Sequence, residues 1–197
     1  MVGTSIPLIP MQHQVVWTCP LAELDAEKPV PNMRDPDNLV YFRQDGSGFA
    51  MGGYERNPRS FSVNDIPSTP DPTRLVFDEV HFSSLMEGAC RRVPLMRGAP
   101  LARTLNGLES FTADGEFILG ESAETAGFWV ACGFCAHGVS GSGGVGKALA
   151  EWVVTGSPGY DLSHMDVRRF SGRSQSHSET LKGVMDIYST YYDVQPG

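Results

Sequence analysis

The stretch GFWVACGFCAHGVSGSGGVGKALAEWVVTG, residues 127–156, predicts a strand, a glycine-rich loop and a helix in succession. Phe128–Cys132 is a short apolar run after a glycine, which is typical of a buried strand. Lys147–Val154 carries its apolar residues at helical spacing, and Gly156 should end that helix. Backbone can approach a ligand closely in such a loop, and the helix start offers unpaired N–H groups and a positive dipole end. We therefore expect an electron-rich ligand here.

Three interpretations of this stretch remain open on its residues alone. The first is a phosphate loop, but Gly141–Ala148 has Ala148 where GxxxxGK[ST] needs the hydroxyl that holds magnesium. The second is structural, with glycines that only let a helix pack closely on a sheet. The third is a loop and helix start that face a flavin ring, where the helix dipole would stabilise negative charge on the reduced ring.

Motifs along most of the chain resemble one family of flavoenzymes. They are Pro10-Met11-Gln12-His13-Gln14, the segment Leu105–Gly115, Ile118-Leu119-Gly120, the segment Gly127–Phe134, and Asp166-Val167-Arg168-Arg169-Phe170. In this order they resemble the carboxy-terminal part of the flavin domain of dimethylglycine and sarcosine dehydrogenases, in the D-amino-acid-oxidase-like (DAO) superfamily. The resemblance implies an FAD-dependent oxidoreductase that acts on CH–NH groups. Its substrate would be an N-methylated amino acid such as dimethylglycine or sarcosine.

Composition excludes several other classes of protein. The 197 residues are 41% hydrophobic and 19% charged, as in a globular domain, and the formal net charge is -8. This charge, without Lys or Arg clusters, argues against a nucleic acid or an acidic membrane as partner. No apolar run approaches the roughly 20 residues of a membrane span. No secretory signal or basic transit segment opens the chain. We expect a cytoplasmic protein, or a mitochondrial matrix protein in a eukaryote.

The four cysteines do not suggest a disulfide framework in a chain of this length. Cys132 and Cys135 form a CxxC, but a zinc site needs a second ligand pair, which the sequence lacks. We expect no metal. Both cysteines are interpreted as small packing residues near the cofactor, in a reducing compartment.

Read in order, the chain predicts an α+β fold with an antiparallel, substrate-binding sheet and a helix, followed by the last strand and helix of an FAD-binding α/β domain. The predicted strands are Gln14–Thr18, after an extended entry at Ile6–Pro10, then Leu39–Arg43 and Phe49–Tyr54 as a hairpin around Gly46-Ser47-Gly48, Ala99–Leu105, and Phe117–Leu119. The predicted helices are Asp78–Val93, with Val80 on its apolar face, and Leu181–Tyr192. Loops are expected at residues 23–36, 57–73 and 171–179, with a turn at Asp114-Gly115.

The resemblance also implies domains and site residues. Residues 1–104 would be part of a substrate-binding subdomain, 105–157 the end of the FAD-binding domain, and 158–197 a linker toward a folate-binding, aminomethyltransferase-like region. Catalytic roles fall to His13 and Tyr41, although an isolated His or a strand Tyr more often serves packing. The residues expected to face the flavin are Phe134, Cys135, Ala136, His137, Gly138, Val139, Ser140 and Gly143.

The chain has no GxGxxG after a strand, so we expect the adenosine and pyrophosphate site in a segment upstream of Met1. The isolated chain should then bind FAD poorly and be inactive alone. Within the whole protein, a hydride would pass from the N-methyl carbon to the flavin, leaving an iminium. A folate-binding carboxy-terminal domain and an electron-accepting flavoprotein are further partners that the resemblance implies.

The motif at the substrate carboxylate departs from one branch of the family. Ser140 stands where monomeric sarcosine oxidases have a lysine that holds the carboxylate. Either Arg43, Arg56 or an upstream residue is then the anchor, or the substrate is a different amine. The alternative from another class is a non-catalytic module that packs on a partner through an apolar face.

Overall fold

The computed structural model describes residues 3–66, 75–171 and 176–193. The strands are β1 (Leu8–Thr18), β2 (Met33–Asp35), β3 (Val40–Asp45), β4 (Gly48–Gly53), β5 (Leu101–Thr112), β6 (Ile118–Glu121) and β7 (Trp129–Cys132). The α-helices are α1 (Glu79–Arg92), α2 (Gly138–Thr155) and α3 (His177–Ser189). Short 3-10 turns lie at Val63–Asp65, Pro94–Met96 and Val167–Phe170.

Five strands form one sheet in the order β2-β3-β4-β1-β5. The β3–β4 hairpin is antiparallel, with Tyr41 opposite Gly52 and Asp45 opposite Gly48, and β1 pairs antiparallel with β4. Because side chains alternate along a strand, Tyr41 and Arg43 share one face, and Val40 and Phe42 point to the other. The second face is the core side, where Val40 and Phe42 are buried.

Helix α1 covers that core face. Asp78 caps its start by accepting a hydrogen bond from the backbone N–H of His81, and Phe82, Leu85 and Ala89 pack into the core with residues of β1, β3 and β4. Burying these side chains stabilises the fold by about 1.5–3 kcal/mol for each large one. Gly53 lets Leu85 approach the strand, since a Cβ there would lie 2.8 Å from Leu85 Cδ2.

A second, smaller sheet carries helix α2. Strands β6 and β7 are antiparallel, and a parallel bridge joins Leu119 to Asp166. Gly120 has φ +108°, and a Cβ there would lie 2.8 Å from the ring of Trp152 on α2. The helix ends at Gly156, which adopts the left-handed conformation and donates its N–H to the Trp152 carbonyl.

The chain forms two compact units. One consists of Met1–Met11 and Glu109–Ile187, and the other of Gln12–Leu108 and Tyr188–Gly197. The first contains β6, β7 and α2, and the second contains β2, β3, β4 and α1. The predicted boundaries at 104/105 and 157/158 stay predictions.

The antiparallel sheet, the hairpin, α1 with its cap at Asp78, the strand before α2 and the stop at Gly156 confirm the sequence interpretation. Four details were wrong. Strand β1 begins at Leu8 rather than Gln14, the predicted loop at residues 23–36 contains β2, Val80 is 84% exposed, and α2 begins at Gly138 rather than near Lys147. Residues 67–73 and 172–175 of the predicted loops lie outside the described residues.

Candidate functional site

His13 is held between two phenols. It lies on β1 and is 6% exposed. Its Nε2 lies 2.9 Å from the Tyr41 hydroxyl and its Nδ1 lies 2.9 Å from the Tyr188 hydroxyl. All three residues belong to the same unit. The structure therefore brings together the two residues for which a catalytic role is predicted and adds a third, Tyr188.

The hydrogen-bond network assigns a tautomer to His13. The single O–H of Tyr188 is directed at the Gln12 carbonyl, 3.2 Å away, or at the Glu55 carboxyl, so in either case the Tyr188 oxygen accepts the Nδ1–H of His13. Nε2 is then the acceptor of the Tyr41 O–H. Burial lowers the pKa of His13 from 6.5 to about 4, which keeps the ring neutral around pH 7. Tyr41 thus has its proton directed at His13 Nε2.

The Tyr41 ring lies over Gly52 on the neighbouring strand, where there is no side chain. A Cβ on Gly52, opposite Tyr41 in the hairpin, would lie 2.6 Å from Tyr41 Cζ. Tyr54 packs against the His13 ring at 4.8 Å between centroids and stacks on Tyr191 at 4.0 Å. These aromatic contacts fix the rings around His13, because Phe, Tyr and Trp lose little conformational freedom and bury large areas.

A second buried polar pair lies in the same unit. His81 Nε2 is 2.7 Å from Glu55 Oε1, and both side chains are less than 5% exposed. Burial raises the pKa of Glu55, while hydrogen bonds from its own backbone N–H, His81 and Tyr188 oppose that rise. Tyr188 is a hydrogen-bond partner of both this carboxyl and the His13 ring, so it links the two polar groups.

The residues predicted to face the flavin lie in the other unit. Phe134–His137 connects β7 to α2, and Gly138, Val139 and Ser140 form the first turn of the helix. Cys135 and Ala136 have positive φ values of 44° and 68°, which non-glycine residues rarely adopt. The N–H groups of residues 138–140 donate to no acceptor among the described residues, and Val139 is 94% exposed. This helix start can accept an electron-rich group.

Gly143 does not lie in a loop. It is in the second turn of α2 with Gly144, and Gly146 begins the third turn, so the predicted loop through Gly146 was wrong. Each glycine costs a helix about 1 kcal/mol relative to alanine, but packing of α2 overrides this local preference. Gly141 contributes to that packing, since a Cβ there would lie 3.1 Å from the Phe117 ring. A helical backbone at residues 141–147 excludes the phosphate loop, whose backbone must curl around the phosphates.

The CxxC cysteines are thiols with packing neighbours. All four cysteines are free, and burial raises the pKa of both Cys132 and Cys135. Cys135 Sγ accepts the backbone N–H of Thr112 at 3.5 Å. A raised pKa disfavours the reactive thiolate, in agreement with a packing role.

Within residues 3–66, 75–171 and 176–193, no group of three or more His, Cys, Asp or Glu side chains is arranged to hold a metal ion. None of the helices in these ranges combines the length and the apolar character that a membrane crossing requires.

The fold is shared with proteins of known structure. L-proline dehydrogenase from P. horikoshii superposes with a TM-score of 0.68 at 22% identity, over 85% of this chain and 41% of that one. Residues 1–152 match the family of FAD-dependent oxidoreductases known as DAO. The chain belongs to this family.

Three curated relatives match nearly the whole chain. The 4-methylaminobutanoate oxidase (formaldehyde-forming) of Paenarthrobacter nicotinovorans is 35% identical over 96% of the chain, and the mitochondrial sarcosine dehydrogenase of Mus musculus is 35% identical over 92%. The mitochondrial pyruvate dehydrogenase phosphatase regulatory subunit of Mus musculus is 31% identical over 97%. The chain covers 23%, 19% and 22% of these proteins, about a fifth of their length.

Sequence reasoning missed Tyr188 and Glu55. The only signal for Tyr188 was its place in a cluster with Tyr191 and Tyr192 near the end of a predicted helix. Its contact with His13 spans 175 positions in sequence, a separation at which periodicity carries no information. Glu55 directly follows a predicted strand and belongs to no motif.

Proposed function

We propose that this chain is the substrate-binding and flavin-facing part of an FAD-dependent oxidoreductase that oxidises an N-methylated amino acid of the sarcosine or dimethylglycine type. The observation that carries the proposal is the neutral His13 between the Tyr41 and Tyr188 hydroxyls. The relatives named for sarcosine and 4-methylaminobutanoate oxidation, which match over more than nine-tenths of the chain, support the choice of substrate.

Tyr41 would receive the substrate amine. Its O–H is directed at His13 Nε2, which fixes the orientation of the phenol beside the substrate. A pocket of neutral, half-buried groups disfavours a cationic ammonium, which lowers the pKa of the bound amine. Only the neutral amine releases hydride readily, so His13 and Tyr41 would act by holding it in that form.

The start of α2 fits the flavin. Bound FAD would supply the hydride acceptor for the N-methyl carbon. The free N–H groups of Gly138, Val139 and Ser140, with the positive end of the helix dipole, would stabilise negative charge beside them. Phe134–His137 would shape the approach to the ring. Gly143, inside the helix, contributes no free N–H group and is assigned no direct contact.

The rest of the cofactor site would come from sequence outside this chain. Residues 105–157 would supply the last strand and helix of the FAD-binding domain and residues 1–104 part of the substrate-binding subdomain. The adenosine and pyrophosphate site would lie upstream. Residues 158–197 would lead toward a folate-binding domain, and an electron-accepting flavoprotein would reoxidise the cofactor. A mitochondrial matrix location would follow for a eukaryotic source, since the sarcosine dehydrogenase relative is mitochondrial.

One relative favours a second candidate function. The regulatory subunit of pyruvate dehydrogenase phosphatase, a protein named for regulation, aligns with 97% of this chain. A non-catalytic module that binds a partner is therefore the alternative. If this alternative is correct, the protein oxidises no amine, and none of its activities depends on His13.

The test is turnover by purified protein carrying this chain with the sequence that flanks it in its gene. Sarcosine, dimethylglycine and 4-methylaminobutanoate are supplied in turn, and formaldehyde release and dye reduction are measured. We expect turnover of at least one amine, a large loss in His13→Asn, and retention in His164→Asn, a matched change at an exposed histidine. A yellow, folded protein that oxidises none of them would favour the regulatory alternative.

A further inference from the structure

A buried carboxyl group lies beside the tyrosine that contacts His13. Glu55 is 3% exposed and follows β4, which ends at Gly53, by two residues. Its Oε1 atom lies 2.7 Å from His81 Nε2, whereas its Oε2 atom is buried with no well-placed donor among the described residues. Burial of a carboxylate is unfavourable unless its oxygens accept hydrogen bonds. Glu55 therefore favours any further donor that can turn toward it.

The Tyr188 hydroxyl is such a donor. Burial raises the pKa of Glu55, and hydrogen bonding by Tyr188 opposes that rise, as a donor to the ionised carboxylate does. The competing acceptor, the Gln12 carbonyl, lies 3.2 Å from the hydroxyl, which is long for an O–H···O bond, commonly about 2.7–2.8 Å. A hydrogen bond to a carboxylate is also roughly twice as strong as one to a neutral carbonyl. The Tyr188 proton is therefore drawn toward Glu55.

His81 holds the carboxyl group from the side of α1. Asp78 accepts the backbone N–H of His81 at 2.9 Å, and Gln14 Oε1 accepts the backbone N–H of Asp78 at 2.7 Å. These bonds connect the start of α1 to β1, the strand that also carries His13. His81 therefore fixes the position of Glu55 relative to that strand.

We propose that Glu55, held by His81, is a positioning residue for amine oxidation: it attracts the proton of Tyr188 and thereby keeps the proton of His13 on Nδ1. This inference rests on the proposed function, in which His13 Nε2 accepts the O–H of Tyr41. Without the carboxylate, the Tyr188 O–H is able to turn to Nδ1, and an Nε2–H would then point at Tyr41. No proton leaves the network, because the carboxylate selects between two neutral tautomers of His13.

The first measurement locates the Tyr188 proton in the unsubstituted protein. Crystals of the gene-length protein are exchanged into heavy water, and neutron diffraction shows the deuterium atoms directly. We expect the Tyr188 deuterium to point at the Glu55 carboxyl and a second deuterium to lie on His13 Nδ1. A Tyr188 deuterium that points at the Gln12 carbonyl, or a His13 Nδ1 without deuterium, would overturn the inference.

The second measurement removes the charge and keeps the shape of the side chain. Glu55→Gln places an amide at this position, and Glu87→Gln, at a 74% exposed side chain on α1, is the matched control. We expect the nitrogen-15 shifts of the His13 ring to show protonated Nε2 in Glu55→Gln only. The limiting rate of flavin reduction by the amine should fall about tenfold in Glu55→Gln, with little change in the half-saturating amine concentration. His13 shifts that are the same in both variants would refute the positioning role.

A double-mutant cycle distinguishes positioning from a general effect on stability. If Glu55 acts through Tyr188, Glu55→Gln should lower the rate of flavin reduction no further in a Tyr188→Phe background. A carboxyl group with only a structural role would give losses that multiply, and that result would reject the inference. If the His13 shifts depend on Glu55 but no amine is oxidised, the positioning role stands and the proposed function fails.

Discussion

The Nδ1 atom of His13 lies 2.9 Å from the hydroxyl of Tyr188, a residue 175 positions further along the chain. Tyr188 is fully buried, and its own proton is directed away from His13, at the Gln12 carbonyl or the Glu55 carboxyl. This contact determines which ring nitrogen of His13 carries the proton, and hence that Nε2 is available to Tyr41. A residue at the end of α3 thus sets the protonation pattern of a residue on β1.

Tyr188→Phe should keep the ring packing and remove this control. Without the hydroxyl, the Gln12 carbonyl and His13 Nδ1 lose their partner, which should cost about 1–3 kcal/mol of unfolding free energy. Amine oxidation should fall by about tenfold, the equivalent of one lost hydrogen bond. Urea unfolding and the nitrogen-15 shifts of the His13 ring measure the two effects. An unchanged Nδ1 proton in Tyr188→Phe would show that the phenol does not set the tautomer.

Stability should depend on pH through His13. Its pKa is about 4 in the folded chain and near 6.5 when unfolded. Above pH 6.5 both states are neutral and His13 has no effect. As the pH falls from 6.5 to 4, only the unfolded state gains a proton, so the unfolding free energy should decrease by roughly 3 kcal/mol.

The control for this pH dependence is His13→Asn, in which that part of the decrease should disappear. Urea unfolding at pH 7 and at pH 4.5 measures both proteins. A His13 ring that titrates near pH 6.5 by NMR would contradict its burial as a neutral group.

Gly52→Ala should displace Tyr41. The added Cβ would overlap the phenol and lie 3.1 Å from the Gln14 carbonyl, so the ring must move away from His13. Overpacking of this kind costs about 1–3 kcal/mol. Gly146→Ala is the matched control, since nothing lies within 4 Å of the new methyl on α2. It should stabilise the protein by about 0.5–1 kcal/mol. Thermal unfolding compares the two variants. If Gly52→Ala unfolds at the same temperature as the unsubstituted protein, the close packing of Tyr41 on Gly52 is contradicted.

Arg169 should be needed for the turn at Asp114. It donates to both oxygens of Asp114, at 2.9 and 3.1 Å, and to the carbonyls of Phe117 and Met165, each at 2.9 Å. Arg169→Gln should cost roughly 2–3 kcal/mol, because several acceptors lose a charged donor. Asp114→Asn keeps the backbone bonds of Arg169 and, at a half-exposed carboxylate, should cost about 0.2–1 kcal/mol. Equal losses in the two variants would show that the ion pair, not the backbone bonds, holds the turn.

The same pair predicts a second pH effect. Burial alone would raise the pKa of Asp114, but the hydrogen bond and charge of Arg169 outweigh it and place the pKa below its ordinary value of 3.8. The stability from this carboxylate is therefore present above pH 3.8 and lost as the pH falls through the lower folded value. Comparison of acid unfolding in the unsubstituted protein and Asp114→Asn measures it.

Local signals were sufficient where one short segment determines its own structure. The Gly46-Ser47-Gly48 turn predicted the hairpin, Asp78 marked the start of α1, and Gly156 marked the end of α2. Resemblance to a family correctly indicated FAD-dependent oxidoreductases. It also singled out His13 and Tyr41, which the fold places 2.9 Å apart.

Tertiary packing decided what local signals could not. Pro10 lacks an N–H and indicated an extended entry, yet it lies within β1. The glycines of Gly138–Gly146 indicated a loop, but packing such as that of Gly141 on Phe117 makes them helical. The roles of Tyr188 in setting a tautomer and of Arg56 in pairing with Asp193 depend on contacts more than 130 positions apart.

The most direct test of the central claim is anaerobic reduction of the flavin in gene-length protein carrying this chain. Sarcosine or dimethylglycine is mixed with the oxidised protein, and the flavin absorbance near 450 nm is followed in stopped flow, roughly on the timescale of catalysis. We expect rapid bleaching, slowed strongly in His13→Asn and preserved in His164→Asn. Bleaching at the same rate in His13→Asn, or a protein that takes up no flavin, would contradict it.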